Sequence, residues 1–299
     1  MKRMALIFAF VVVTGSVVFA QQETLYVSAS GRGDGSSEAK PTSLQKAYVA
    51  VMARITKKII IIGTIDGNSS YNDLHNTDDN VFTFNSPNPG LTRDYGEIVI
   101  TGKPGASGTE RAVISAKGSG KTAVWVGDFK IRFEHIEISD GEGKFGIGLF
   151  INDNTQVTLG PGAIVRNNAG PGILVSGTCI IDGGEVHNNA RGVQIGKNGA
   201  FILRNGSIRD NSPLAHGGGV LILDGGQFSM SGGTITGNRT ATSNSYAGGG
   251  VGIAKGGRFT MTGGSITNNR AQSAGGGVCV MSGGRFDQNG GTVSGNQRY

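Results

Sequence analysis

Cysteine is nearly absent: Cys179 and Cys279 are the two in 299 residues, which excludes a disulfide-stapled scaffold. Charge is scarce as well, at 16%, and aromatic residues supply only 7%. With 37% hydrophobic content beside so little charge, a self-repelling disordered chain is excluded and one sizeable folded body is expected. No long apolar run follows residue 20, so nothing beyond it has the composition of a membrane-spanning helix. The formal charge of +6 gives no reason to expect nucleic acid; a mildly basic chain weakly favours acidic surfaces or polysaccharides.

Met1, Lys2 and Arg3 precede an apolar run from Met4 to Val13, and Val18 and Ala20 stand at the −3 and −1 positions before Gln21. This pattern predicts a secretory signal peptide over residues 1–20, with cleavage near Ala20–Gln21 and a secreted or cell-surface product, outer-membrane association included. The run is short for a membrane anchor, and no cysteine follows the cleavage point to carry a lipid.

What the chain has in quantity is glycine, 53 residues. They punctuate short strands rather than form a flexible polymer, as in "GGGVGIAKGGRFTMTGGSITNNRA" (Gly248–Ala271), where apolar residues alternate between glycine pairs. Aligning those pairs gives a ladder of Ile164, Val186, Ile208, Ile235, Ile266 and Val293, separated by 22, 22, 27, 31 and 27 residues. Three places after each rung stands an asparagine: Asn167, Asn189, Asn211, Asn238, Asn269 and Asn296. A second column runs Val157, Cys179, Phe201, Phe228, Phe259, Phe286, with Leu159, Ile181, Leu203, Met230, Met261 and Gln288 two places on. A third begins with Val193/Ile195, Val220/Ile222, Val251/Ile253 and Val278/Val280.

Three short strands per repeat, joined by glycine turns, describe one coil of a solenoid that buries its inner face only by stacking. The predicted fold is all-β, a right-handed parallel β-helix with three strands per coil. Stacking would pile the phenylalanines into one internal column and leave Cys179 and Cys279 as free thiols about 19 Å apart, Cys279 facing outward. The asparagines are expected in tight turns, bonding the backbone of neighbouring coils. Extra residues all fall between the asparagine and the next glycines: "SPLAH" (Ser212–His216), "RTATSNSYA" (Arg239–Ala247) and "RAQSA" (Arg270–Ala274). One corner therefore carries the variable loops.

Ser43 can cap a helix whose Leu44, Ala47, Tyr48, Val51 and Met52 share one face, a lid over the first coil. "KKIIII" (Lys57–Ile62) then starts the sheet. The expected organisation is residues 21–58 as an N-terminal strand and capping helix, then 59–299 as the β-helix, with a polar excursion at about 68–96. At the other end the final coil is expected to be uncapped, either seeking a partner or belonging to a shortened version of a longer helix, and the chain does not read as a complete autotransporter.

"TLYVSASGRGDGSSEAKPTSLQKAYVAV" (Thr24–Val51) resembles the opening segment of right-handed parallel β-helix proteins of the pectate-lyase-like superfamily. The "GGGV…GGxF…GGTIxxN" units resemble those of bacterial secreted and surface β-helices. The resemblance spans nearly all of the chain after residue 20 and implies the fold; the superfamily holds lyases, hydrolases and adhesins, so no single activity follows.

Lyases of this fold need acidic residues on adjacent coils to hold calcium beside a proton-abstracting base. No such ladder exists, since Asp182, Asp210, Asp224 and Asp287 occupy non-equivalent positions. The paired aspartates and Gly-His-Gly of the hydrolases survive only as Asp78–Asp79 and "AHG" (Ala215–Gly217). A calcium roll fails because Arg, Thr or Ser stands where each glycine pair needs an aspartate. No metal, cofactor or catalytic residue is assigned. Arg239/Arg270 and Arg258/Arg285 instead repeat at equivalent positions, forming two stacked basic pairs able to meet carboxylates or sulfates of an extended glycan. Arg32, Gly33 and Asp34 form an RGD tripeptide in a turn-rich segment. The outward Thr/Ser pairs of "TIT", "SIT" and "TVS", which would suit an ice-binding array, are interrupted by His187 and Arg209 in the same row. The expected function is recognition, adhesin-like or glycan-binding, with acidic polysaccharide or a host or cell-surface protein as partner. The rival is a polysaccharide lyase or glycoside hydrolase with its site in Asn68–Gly96.

Overall fold

The computed structural model describes residues 22–67, 80–85, 95–103, 111–142, 145–212, 218–240, 248–272 and 275–298. The signal-peptide segment, "SPLAH" beyond Ser212, and Asp78–Asp79 lie outside them.

Strands of three to ten residues stack in parallel register, two per coil merging into a 17-stranded sheet and one per coil forming an eight-stranded sheet. The molecule is an all-β parallel β-helix with one helix near its N-terminus. Each coil has three faces. The first carries the column Cys179, Phe201, Phe228, Phe259, Phe286. The second carries Val186, Ile208, Ile235, Ile266, Val293. The third carries Val124/Val126, Leu149/Ile151, Ile173/Val175, Val193/Ile195 and their successors. The phenylalanine rings stack face on, with centroids 4.9, 4.4 and 4.8 Å apart along Phe201–Phe228–Phe259–Phe286, close to the strand spacing of about 4.8 Å. Burial of Phe201, Phe228 and Phe259 contributes about 1.5–3 kcal/mol each.

Register corrects one coil of the sequence reading. Val165, not Ile164, pairs with Val186 and is fully buried, and Asn168, not Asn167, joins the asparagine column. The corner Gly160-Pro161-Gly162-Ala163 holds one residue more than the equivalent corners of later coils. Asn167, with φ at 58°, takes the left-handed position that Asn188, Asp210, Gly237 and Asn268 hold before the ladder asparagine in later coils.

The asparagines form a continuous buried ladder. Each backbone N–H and each Nδ2 donates to Oδ1 of the asparagine one coil on, as from Asn211 to Asn238 at 3.1 and 2.9 Å. The same Nδ2 also donates back to a second-face carbonyl, Asn211 to Val186 and Asn238 to Ile208. This explains the last glycine of each "GGGV". A Cβ at Gly219 would lie 3.0 Å from Asn238 Nδ2, and one at Gly277 2.7 Å from Asn296 Nδ2, so a side chain there collides with the ladder.

Thr24–Val27 pairs with Lys58–Ile62 as the first rung, and its free edge is covered: Tyr26 N–H donates to Gly35 O, and Thr42 N–H donates to Tyr26 O. The helix Leu44–Met52 starts at Ser43, whose hydroxyl accepts the Lys46 N–H at 3.3 Å. Its Ala47, Ala50 and Val51 enter the same core cluster as Leu25 and Val27, and Tyr48 meets Phe84 edge-on at 5.7 Å. Within the polar stretch, Asn80–Asn85 is a third-face strand paired with Thr122–Gly127. At the far end, strands Val278–Val280, Arg285–Gln288, Thr292–Ser294 and Gln297–Arg298 each pair on one side only among the described residues.

Candidate functional site

Both arginine pairs are brought together by strand register. Arg258 stands beside Arg285 on the first face, and Arg239 beside Arg270 on a short three-stranded ribbon after the asparagine corner. All four are exposed. Arg285 Nε donates to Asp287 Oδ2 at 2.6 Å, and that bond raises the guanidinium pKa. Arg239, Arg258 and Arg270 form no ion pair among the described residues. The two pairs do not touch each other in sequence order within a coil: the third face intervenes between them.

That third face carries a column the sequence reading did not single out. Between its inward valines and isoleucines the outward positions run Thr83, Trp125, Phe150, Leu174, Gln194, Leu221, Gly252, Cys279 in register. Trp125 and Phe150 are half-buried, with ring centroids 6.0 Å apart and planes tilted by 57°. Arg191 Nη1 donates to Gln194 Oε1, next to Leu174 in the column. Burial holds the Arg191 guanidinium below its ordinary pKa. The signal was present in "AVWV" and "LFI", where the residue between two inward aliphatics is aromatic.

Arg32–Asp34 lies at the opposite end, in the segment covering the first strand. Gly33 N–H donates to Pro41 O at 2.8 Å, and a Cβ on Gly33 would sit 2.5 Å from Lys40 O. Asp34 Oδ1 accepts the Ser36 N–H at 2.9 Å, and hydrogen bonds from Ser36 hold its carboxyl below the usual range. Glycine and aspartate are therefore both used by the turn itself; Arg32 and Asp34 remain exposed.

The second face presents a charged cluster. Arg166 pairs with Glu137 at 2.9 Å, and Arg209 pairs with Glu185 at 2.9 Å and Asp210 at 3.1 Å. Between the two arginines, in register, sits His187, 7% exposed, with Nδ1 unpartnered. Burial, then Arg209, lowers its pKa. Thr234/Thr236, Ser265/Thr267 and Thr292/Ser294 continue these rows to the end of the stack. Among the described residues no group of His, Cys, Asp and Glu could hold a metal ion, and no helix is long and apolar enough to cross a membrane. Ala215–Gly217 lies outside the described residues. Searches against protein-family models, curated proteins and solved structures found no match to the chain.

Proposed function

We propose that this is a secreted or surface-displayed recognition protein, adhesin-like or glycan-binding, built on a scaffold of the pectate-lyase-like kind and exported by residues 1–20. The observation that carries this reading is the outward Trp125–Phe150–Leu174 column, set at strand spacing along the axis, with two pairs of exposed arginines in register on coils further along the same stack. Aromatic faces at that spacing offer apolar platforms to successive units of an extended polymer, and guanidinium groups at the borders meet its carboxylates or sulfates. The RGD turn is at the other end and has a structural job, so it contributes at most a secondary contact to a host protein.

The test is binding of the chain from Gln21 to acidic polysaccharides, with the solution assayed for unsaturated or reducing ends. Retention without turnover is expected, with affinity weakened at least about tenfold by Trp125→Ala. Arg258→Ala combined with Arg239→Ala and Arg270→Ala should weaken it further and flatten its salt dependence. Release of unsaturated or reducing ends would replace this reading with a lyase or hydrolase.

A further inference from the structure

Between the first and second faces the chain turns through a glycine pair, as in Asp182-Gly183-Gly184, Ser231-Gly232-Gly233 and Thr262-Gly263-Gly264. A Cβ at Gly232 or Gly263 would lie 2.1 or 2.4 Å from a backbone carbonyl of the preceding coil. The coil after Gly184 departs from this pattern: its corner reads Arg204-Asn205-Gly206, with an asparagine where the others have the first glycine. The preceding coil is out of step here, with register shifts on both sides of Asp182, and the Asn205 side chain is accommodated and exposed. Its Oδ1 turns toward the next residue and accepts the Gly206 N–H at 2.8 Å. Gly206, with φ at 103°, has no Cβ to screen its nitrogen, which is therefore held against the side-chain carbonyl in a near-attack arrangement.

We infer that Asn205 and Gly206 form a self-modifying site, at which the folded chain converts its own asparagine. The Gly206 nitrogen bonds to Asn205 Cγ, the Cγ–Nδ2 bond breaks, and Nδ2 leaves as ammonia with the proton that the Gly206 N–H gives up. The resulting five-membered succinimide takes up one water and opens at either carbonyl, to aspartate or isoaspartate at position 205. Water is the one co-reactant. The product places a carboxylate in register with Asp182 one coil back, so a neutral position becomes the second of two like charges. Two further asparagine–glycine pairs, Asn198-Gly199 and Asn289-Gly290, share this dipeptide and not this geometry. Gly199 is buried and its N–H is committed to Gly196 O at 3.1 Å. Among the described residues, an asparagine side chain accepts from the N–H of the following glycine only at Asn205.

Peptide mapping by mass spectrometry tests this on the folded chain from Gln21 held in mildly alkaline buffer, with an isoaspartate assay and with circular dichroism to confirm folding. Aspartate and isoaspartate are expected to accumulate at residue 205 at least about tenfold faster than at residue 198 or 289. In urea the three sites should convert at similar rates, because the dipeptides are identical and the fold alone tells them apart. Asn205→Gln keeps the amide but moves it one methylene from the attacking nitrogen, and should remove the fast-forming acidic species on isoelectric focusing. An unmodified Asn205 in the folded protein, equal rates at the three sites in the fold, the same lead for Asn205 in urea, or an acidic species that forms as fast in the glutamine variant would each overturn the inference.

Discussion

At the level of single residues, the asparagine ladder is the interaction whose loss should be felt most. Asn238 is fully buried and connects Asn211, Ile208, Thr236 and Asn269. Asn238→Ala leaves a donor and an acceptor on neighbouring coils without partners, at about 1–3 kcal/mol each. A urea titration should show a total loss of about 2–6 kcal/mol, with a smaller loss for Asn296→Ala, which has a neighbour on one side only among the described residues. His187 gives the pH dependence. Its pKa in the fold is lowered from 6.5, so the native state favours the neutral ring and the unfolded chain binds the proton more readily. Its contribution is complete above pH 6.5 and is lost as pH falls below that value toward the folded pKa. The groups facing it are Arg209 and Arg166, which lower the pKa, and Glu185 and Asp210, which raise it. Stability measured at pH 7.5 and 5.5 should fall more on acidification in the wild type than in His187→Gln. The thiols also divide: burial raises the Cys179 pKa and hides it, so a thiol reagent on native protein should modify Cys279 and reach Cys179 only after unfolding.

At the level of elements, the apolar columns were readable because an inward residue at every second position of a strand has no substitute, and register then repeats it coil after coil. The helix was readable from Ser43 and its apolar spacing, though Ala50 joins the buried face beyond the residues expected. Ser43→Ala should cost about 1 kcal/mol, seen in the urea midpoint. What stayed hidden depends on context outside the strand. The extra residue at Gly160–Ala163 was invisible because both Ile164 and Val165 are apolar and both Asn167 and Asn168 are present; only the parallel partner decides between them. The strand Asn80–Asn85 was concealed by polar flanks, although Phe82 and Phe84 alternate as inward residues do. The outward Trp125–Phe150 column escaped for the opposite reason: within one strand these residues look like more core, and their grouping exists only once coils are superposed.

At the level of the whole molecule, stability is a sum over neighbouring coils, so strands paired on both sides are held best. Amide exchange should be slowest around Phe228–Ile266, where both neighbours are present. The arginine pairs were legible as positions but not as a surface, since what lies between them is set by how a coil closes. A last consequence belongs to the asparagine corner. Because Asn238 pins the chain on one side and Gly250 is locked against Asn269 on the other, the distance to be bridged is fixed whatever the connecting peptide. The frame can therefore host foreign cargo: a guest sequence grafted between Thr240 and Gly248 should cost about 0.6 kcal/mol per doubling of its length and leave the stack untouched.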